Sequence, residues 1–339
     1  MSGMNPKPIL DMNYGFTQTA LLIAAVRLHI FTHLATGAMT SQALARLSQA
    51  SPEATERLLR GLQVLALVER TGDCYQLTPL AAQFLVEGSS TYLGGDTLAM
   101  LDYLPAWFQL DHTLQTTTPY RDLGQADEAE SFFAPRVRDL FPLVYPLATR
   151  LAAKLDLGEQ SRPLNILDVG AGSAAWSAAF AQRYPAARVH ALDLPAVVEQ
   201  GRQQIAALKL SEQYTWIEAD LTTFRYPSNE YDLIILAHVC RFIGDGQTCE
   251  ILQNVCQSLC PGGMLVVADI FLNADGVSPA SAVMLDLSMM VNTAHGRVRP
   301  VNEYQNWLEQ CGFRQVHQVD VNGPFPLLIA TKGTPSCVE

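Results

Sequence analysis

The 339-residue sequence is poor in positive charge: 22 Lys and Arg stand against 33 Asp and Glu, a formal net charge of −11. Binding a phosphate backbone needs clustered cations, so this balance argues against a nucleic-acid substrate. No apolar run is long enough to span a bilayer. The most apolar early stretch, Ala20 to Ala35, is broken by Arg27, His29 and His33. The stretch Met1 to Phe16 lacks the layout of a secretory signal, and the seven cysteines form no Cys-x-x-Cys pair. Cys256 and Cys260 lie one helical turn apart, but no histidine or second pair completes a zinc set. These absences lead us to expect a reduced, cytoplasmic protein without a membrane anchor or a metal. Internal repeats and low-complexity segments are also missing.

What is present is ordinary globular material, 49% hydrophobic and 16% charged, long enough for two domains. Thr40 can cap a short helix through Leu47. Ser51-Pro52-Glu53 starts a second, with proline at the first helical position and an apolar face of Leu58, Leu59, Leu62, Leu65 and Ala66. Leu67 to Arg70, a Thr71-Gly72-Asp73 turn and Cys74 to Leu77 read as a hairpin. Helix, helix, hairpin predicts a winged helix. Residues 97–157 read as mostly helical, with Leu143, Leu147, Leu151 and Leu155 forming one stripe. From residue 164 short apolar runs alternate with helical segments: Asn165–Val169, Arg188–Leu192, Tyr214–Glu218, Leu233–Ala237 and Met264–Ala268. That alternation predicts a parallel sheet covered on both faces. Helices near 280–293 and 301–311 and an antiparallel pair near 314–321 and 326–332 follow.

The chemistry-bearing run is Asn165-Ile-Leu-Asp168-Val-Gly170-Ala-Gly172-Ser-Ala174. A strand leads through an acid and two glycines into a helix. Gly170 and Gly172 let the backbone approach a ligand, and the helix start offers free N–H groups to a carboxylate. Asp168 can take an ammonium group. Asp193, ending the next strand, can accept both hydroxyls of a ribose, and Asp220, after the third, can accept from an adenine amino group. The glycines alone could be a tight structural turn. A dinucleotide site is the other rival, since Gly170 to Ala175 nearly reads GxGxxG, but Asp168 would then face pyrophosphate with the wrong charge. Three acids beside three successive strand ends suit a cationic sulfonium nucleoside.

On these residues the chain resembles the winged-helix S-adenosylmethionine-dependent O-methyltransferases, a family that includes plant caffeate-type and bacterial polyketide-tailoring enzymes. The likeness runs from about Met12 to Lys332. It rests on Thr55-Glu-Arg-Leu-Leu-Arg60, Tyr75-Gln-Leu-Thr-Pro-Leu-Ala81, Leu167-Asp-Val-Gly-Ala-Gly172, Ala191-Leu-Asp-Leu-Pro195, Pro261-Gly-Gly263 and Trp307-Leu-Glu-Gln-Cys-Gly-Phe313. The resemblance implies a Rossmann-like class I methyltransferase domain with a mixed seven-stranded sheet (161–335), preceded by a winged-helix dimerisation domain (1–95). Helical connecting segments (96–160) would contribute to an acceptor pocket. It implies cofactor contacts from Gly170, Asp193, Leu194, Asp220 and Leu221, S-adenosyl-L-homocysteine as product, and a homodimer formed through the N-terminal domain. The helix carrying Met12, Tyr14, Phe16 and Leu21 would reach the partner's acceptor pocket, with Phe133, Met289 and Met290 lining it.

The sequence departs from that family where its base should stand. The usual histidine falls at Arg241 of His238-Val-Cys-Arg241-Phe-Ile-Gly-Asp245, and the partner glutamate falls at Val298. The third glycine is Ala174, and a lysine contact falls at Ala237. A guanidinium stays protonated, so Arg241 cannot be a base. A positioned base contributes typically about 10²–10⁴-fold, whereas near-attack positioning supplies effective molarities of roughly 10⁵–10⁸ M. Transfer to an acidic hydroxyl that ionises unaided can therefore proceed, with Arg241 stabilising the anion. C-methylation of an enol or carbanion, and divergence to a non-methylating reaction, are the alternatives. Arg241 could equally be a supporting residue. His238 reads as part of the cofactor shell and His295 as a further catalytic candidate. Asp269, Asp286, His238 and His295 match no metal template. A winged helix also raises a DNA-binding regulator, but Pro52 to Arg60 carries two acids beside its two arginines, a poor phosphate footprint.

Overall fold

The computed structural model describes residues 4–155, 157, 162–324 and 326–333. The chain divides into two units, residues 1–101 and 102–339, with the helix Gly94–Trp107 running through the division. The division thus falls inside a helix rather than at residue 95.

The first unit forms around the predicted caps. Thr40 accepts from the Ala43 N–H at the start of helix Ser41–Leu47, and Ser51 accepts from Ala54 at the start of Pro52–Val64. Gly72, at φ +61°, turns β2 (Val68–Thr71) into β3 (Cys74–Leu77), and β1 (Met39–Thr40) pairs with the other side of β3. Leu44, Leu59, Leu62 and Tyr75 are fully buried in its core, with Ile30 and Phe31. Arg57 pairs with Glu53, while Arg60 and Arg70 pair with Glu56, so each arginine of the second helix is engaged by an acid. The long helix Lys7–Arg27 buries only Ile23, Ala25 and Val26.

The second unit is built on one sheet, with β4 (Asn165–Val169), β5 (Arg188–Asp193), β6 (Tyr214–Glu218), β7 (Tyr231–Ala237), β8 (Leu259–Ala268), β9 (Phe313–Val319) and β10 (Leu327–Lys332). Its order is β6-β5-β4-β7-β8-β10-β9. All neighbours from β6 to β8 are parallel, and β10 runs antiparallel to both β8 and β9. Successive side chains go to opposite faces: Ile166, Leu233 and Val266 join one core cluster, and Leu167, Ile234 and Val267 join the other. The strand order reverses between β4 and β7, which opens a crevice at their carboxyl ends.

The leucine stripe is only partly buried. In helix Phe141–Lys154, Leu147 and Leu151 sit in the core, whereas Leu143 is 41% exposed. A spacing of four advances about 40° per step on a 3.6-residue helix, so the row walks out of the core.

Candidate active site

A cavity of ≈ 200 Å³ lies in that crevice. Its floor is the turn after β4. Gly170 and Gly172 take φ +68° and +56°, and a Cβ on Gly170 would lie 2.3 Å from Val239 Cγ2. Ala174 also adopts φ +56°, a left-handed conformation that costs a non-glycine residue roughly 1–2 kcal/mol. Glycine is required at the first of these positions for space as well as for conformation.

Asp193, at the end of β5, braces this turn. Its Oδ2 accepts from the Gly172 N–H (2.7 Å) and its Oδ1 from Leu194 (2.8 Å). Burial pushes the carboxyl up to about 6, opposed by those two donors and assisted by the charge of Glu130. Asp220 lies beyond it, with Oδ1 accepting from the Thr222 N–H and hydroxyl, both at 2.8 Å. Leu194, Val197, Ala219 and Leu221 make the wall between the two acids apolar. S-adenosylmethionine fits this set: two carboxylates for hydroxyl and amino donors, an apolar slot for a flat base, and net negative charge for a sulfonium.

The other end of the cavity carries His238, Arg241, Phe242 and Phe133, with the two phenyl rings edge to face at 5.0 Å. Arg241 Nη1 donates to Asp269 Oδ1 at 2.6 Å and meets His238 Nδ1 at 3.0 Å. A guanidinium can only donate, so that Nδ1 accepts and the imidazole proton resides on Nε2. Burial, together with the Arg241 charge, lowers the His238 pKa, against the pull of Asp269. Burial alone would raise Asp269, but Arg241 and His238 together hold it below the usual carboxylate range. His238 sits at φ +58°, a strained position for a non-glycine residue.

The loop bearing Arg241 is fixed from beneath. Arg299 is fully buried; it donates to the carbonyls of Cys240 (2.6 Å) and Ile243 (2.8 Å), pairs with Asp245 (2.8 Å) and lies over the Trp307 ring. Arg297 adds a second pair to Asp245 and one to Glu303.

Of the residues singled out from sequence, Gly170, Gly172, Asp193, Leu194, Asp220, Leu221, His238, Arg241 and Phe133 line the one cavity. Four others do not. Asp168 sits on the opposite face of β4 from Leu167 and Val169, buried beside Ser177, where burial raises it to about 7 and leaves Oδ2 without a partner. Asp168, expected to take the ammonium group, is thus not among the residues that line the cavity. Met289 packs with Leu272, Ala282 and Val298 in a separate core cluster. Met290, half-buried on the same helix, is also outside the lining, and His295 is exposed in the loop beside Gly244. Tyr14 is exposed on the first helix. Val298, where the family's glutamate would stand, is buried and apolar.

Sequence reading missed Trp176, which lines the cavity from the helix after the glycine turn, with Nε1 buried and unpartnered. Its position six residues after Gly170 was the available signal. That reading named Phe133 but not Ala126 and Ala129, which join it from the helix Ala126–Phe133 in the cavity's far wall. Among the described residues no group of His, Cys, Asp and Glu could hold a metal, and no helix is long and apolar enough to cross a membrane.

Comparison with known proteins agrees with this geometry. Residues 151–314 match the O-methyltransferase domain and residues 10–87 the O-methyltransferase dimerisation domain. The 3-hydroxy-5-methyl-1-naphthoate 3-O-methyltransferase of Streptomyces sahachiroi is 27% identical, over 94% of this chain and 92% of its own length. The tetracenomycin polyketide synthesis 8-O-methyltransferase of Streptomyces glaucescens is 26% identical, over 96% and 97%. The structure of human N-acetylserotonin methyltransferase in complex with S-adenosylmethionine superposes with a TM-score of 0.84 at 26% identity, covering 98% of this chain and 99% of that one. A dimerisation domain followed by a class I methyltransferase domain with its cavity at the strand reversal places this chain in the O-methyltransferase family.

Proposed function

We propose that this enzyme transfers a methyl group from S-adenosylmethionine to an acidic hydroxyl of a small natural-product acceptor, chiefly by positioning, without a side-chain base. The bound sulfonium supplies an activated methyl group. Asp193 and Asp220 hold the nucleoside, and the Gly170–Gly172 turn admits it closely. Phe133 and Phe242, packed edge to face on each other, give the acceptor end an apolar wall that excludes water. The carrying observation is the Arg241–His238–Asp269 cluster. The imidazole lone pair at Nδ1 is occupied by a guanidinium N–H, and Asp269 is paired, so no side chain of the cluster is poised to take a proton. The acceptor must therefore arrive ionised, or lose its proton to water, before its oxygen bonds to the methyl carbon and the carbon–sulfur bond breaks.

The test is a series of phenols of graded acidity. Transfer rates should follow the phenolate fraction, and in Arg241→His an added inflection should appear near the histidine range, about 6.5. A rate independent of phenol acidity, or a profile unaltered by Arg241→His, would remove this reading. The S. sahachiroi and S. glaucescens relatives, whose names specify a hydroxynaphthoate and a polyketide, support an aromatic acceptor.

The same reading includes a homodimer. Its support is the dimerisation-domain match and the exposed apolar residues Ile9, Met12, Tyr14 and Phe16 on the first helix. Sedimentation should give a species of two chains, and deletion of residues 1–20 should give monomer; a monomeric full chain would refute the assignment. The six cysteines among the described residues are all unbridged, which suits a reducing cytoplasm.

A further inference from the structure

The cavity has a third arm. Beyond the nucleoside end at Asp193 and Asp220 and the acceptor end at Phe242 and Arg241, its lining includes Val137, Leu140, Val144, Ser173, Ala175 and Trp176. A Cβ on Gly172 would lie 3.8 Å from Val137, and the helix Phe141–Lys154 packs along Ala175–Arg183, so these residues share one side of the glycine turn. None of the six carries a charge. The helix Ala175–Arg183 starts here, and its cap residue, Ala174, has no side chain that could accept from the first N–H groups. Trp176, in the first turn, is 4% exposed, and its Nε1 is buried without a partner among the described residues. An indole N–H can only donate, and buried donors are paired in the great majority of cases. On the core side Trp176 joins Leu147, Leu151 and Phe180, which offer it no acceptor. The missing acceptor must come from whatever fills the cavity.

We propose that this arm receives the amino-acid chain of S-adenosylmethionine and that Trp176 determines specificity for it: the Nε1–H donates to the chain's carboxylate beside the uncapped helix start. This inference rests on the assignment of S-adenosylmethionine to the crevice. Nucleoside, sulfur and amino-acid chain then meet at the glycine turn, with the chain leading away from both Asp193 and the acceptor end. A carboxylate suits an arm without cations, because its donors are an indole N–H and backbone N–H groups at the positive end of a helix dipole. Hydrogen bonds to an ionised acceptor are roughly twice as strong as neutral ones. The arm therefore grips a nucleoside thioether that carries the chain and gives no hold on one that lacks it. Trp176 touches no reacting atom.

Two ligands separate the hydrogen bond from packing: S-adenosylhomocysteine, and 5′-methylthioadenosine, the same nucleoside thioether with a methyl group in place of the amino-acid chain. Trp176→Phe keeps an aromatic ring and removes the donor. By calorimetry its dissociation constant for S-adenosylhomocysteine should rise by about tenfold, for loss of one hydrogen bond to a charged group. Its dissociation constant for 5′-methylthioadenosine should stay within about twofold of that of the unaltered protein. Equal weakening for both ligands, or none for either, would overturn the proposal. Thermal melting verifies that the variant keeps its fold. A second measurement needs no variant. The four tryptophans give four indole N–H signals in the nitrogen-15-labelled protein, and one should move downfield with S-adenosylhomocysteine but not with 5′-methylthioadenosine. Indole signals that answer alike to the two ligands would also overturn it. Failure of the unaltered protein to bind either nucleoside would instead overturn the cofactor assignment beneath it.

Discussion

Replacing Asp193 with alanine should raise the dissociation constant for S-adenosylmethionine by at least about 100-fold, measured by calorimetry. Two losses combine. The ribose hydroxyls lose a charged acceptor, for which hydrogen bonds are worth roughly 1.5–3 kcal/mol. The Gly172 and Leu194 N–H groups, held at 2.7 and 2.8 Å, lose the carboxylate that fixes the glycine turn. Unchanged affinity in the variant would refute the ribose assignment. The same carboxyl gives the unaltered enzyme a pH dependence. Because burial raises it to about 6 in the ligand-free fold, it takes up a proton as pH falls through that value and stops being a charged acceptor. Affinity should then decline by about tenfold per pH unit below 6. The stability of the ligand-free protein should respond to this group in the opposite sense. A carboxyl whose folded pKa lies above its unfolded value of about 3.9 binds protons more tightly when folded, so its penalty fades as pH falls from 6 towards 4. Affinity and stability that moved together across this window would count against Asp193 as the group responsible.

The largest loss of stability should come from Arg299→Met, a change of similar volume. The variant removes the only guanidinium donating to the buried Cys240 and Ile243 carbonyls. The Ile243 carbonyl loses its donor and the Cys240 carbonyl keeps only the Ile243 N–H at 3.4 Å; an orphaned buried acceptor costs about 1–3 kcal/mol. Asp245 is half-exposed and keeps Arg297 as a partner, so its share is small. A total of about 3 kcal/mol corresponds, for a domain of this size, to a drop in melting temperature of roughly 6–12 °C. A drop under about 2 °C would show that the loop 238–245 holds its shape without Arg299. Since that loop carries Arg241, acceptor turnover should fall in the same variant while S-adenosylmethionine affinity changes little.

What could be read from the sequence was local in period or spacing. β4 and β6 stand where their apolar runs predicted, β5, β7 and β8 extend those runs by one to five residues, and the caps at Thr40 and Ser51 accept the expected N–H groups. Asp193 and Asp220 reach the cavity because Asp193 ends β5 and Asp220 lies two residues past β6, at strand ends that face it. Asp168 fails for a reason the strand period contains: Leu167 and Val169 share one face, so the residue between them points to the other. What stayed hidden depends on partners far away in sequence. Arg299 serves Cys240 and Asp245, more than fifty residues earlier, and Glu130 meets Ala196 across sixty-six. Arg241 looked like a free cation able to meet an anionic acceptor; only folding shows its charge committed to Asp269. No pattern of residue types announces such pairings.

The position of β10 has a consequence for where this chain tolerates a stop codon. β9 touches the sheet only through β10, which lies between it and β8. A message ending just after codon 326 would omit little of the described polypeptide, yet it would detach two strands. The backbone of Met264 to Val267 would then be left as an unpaired hydrophobic edge, the kind of surface on which chains aggregate. Shortening at that end therefore acts less like trimming a tail than like drawing a keystone.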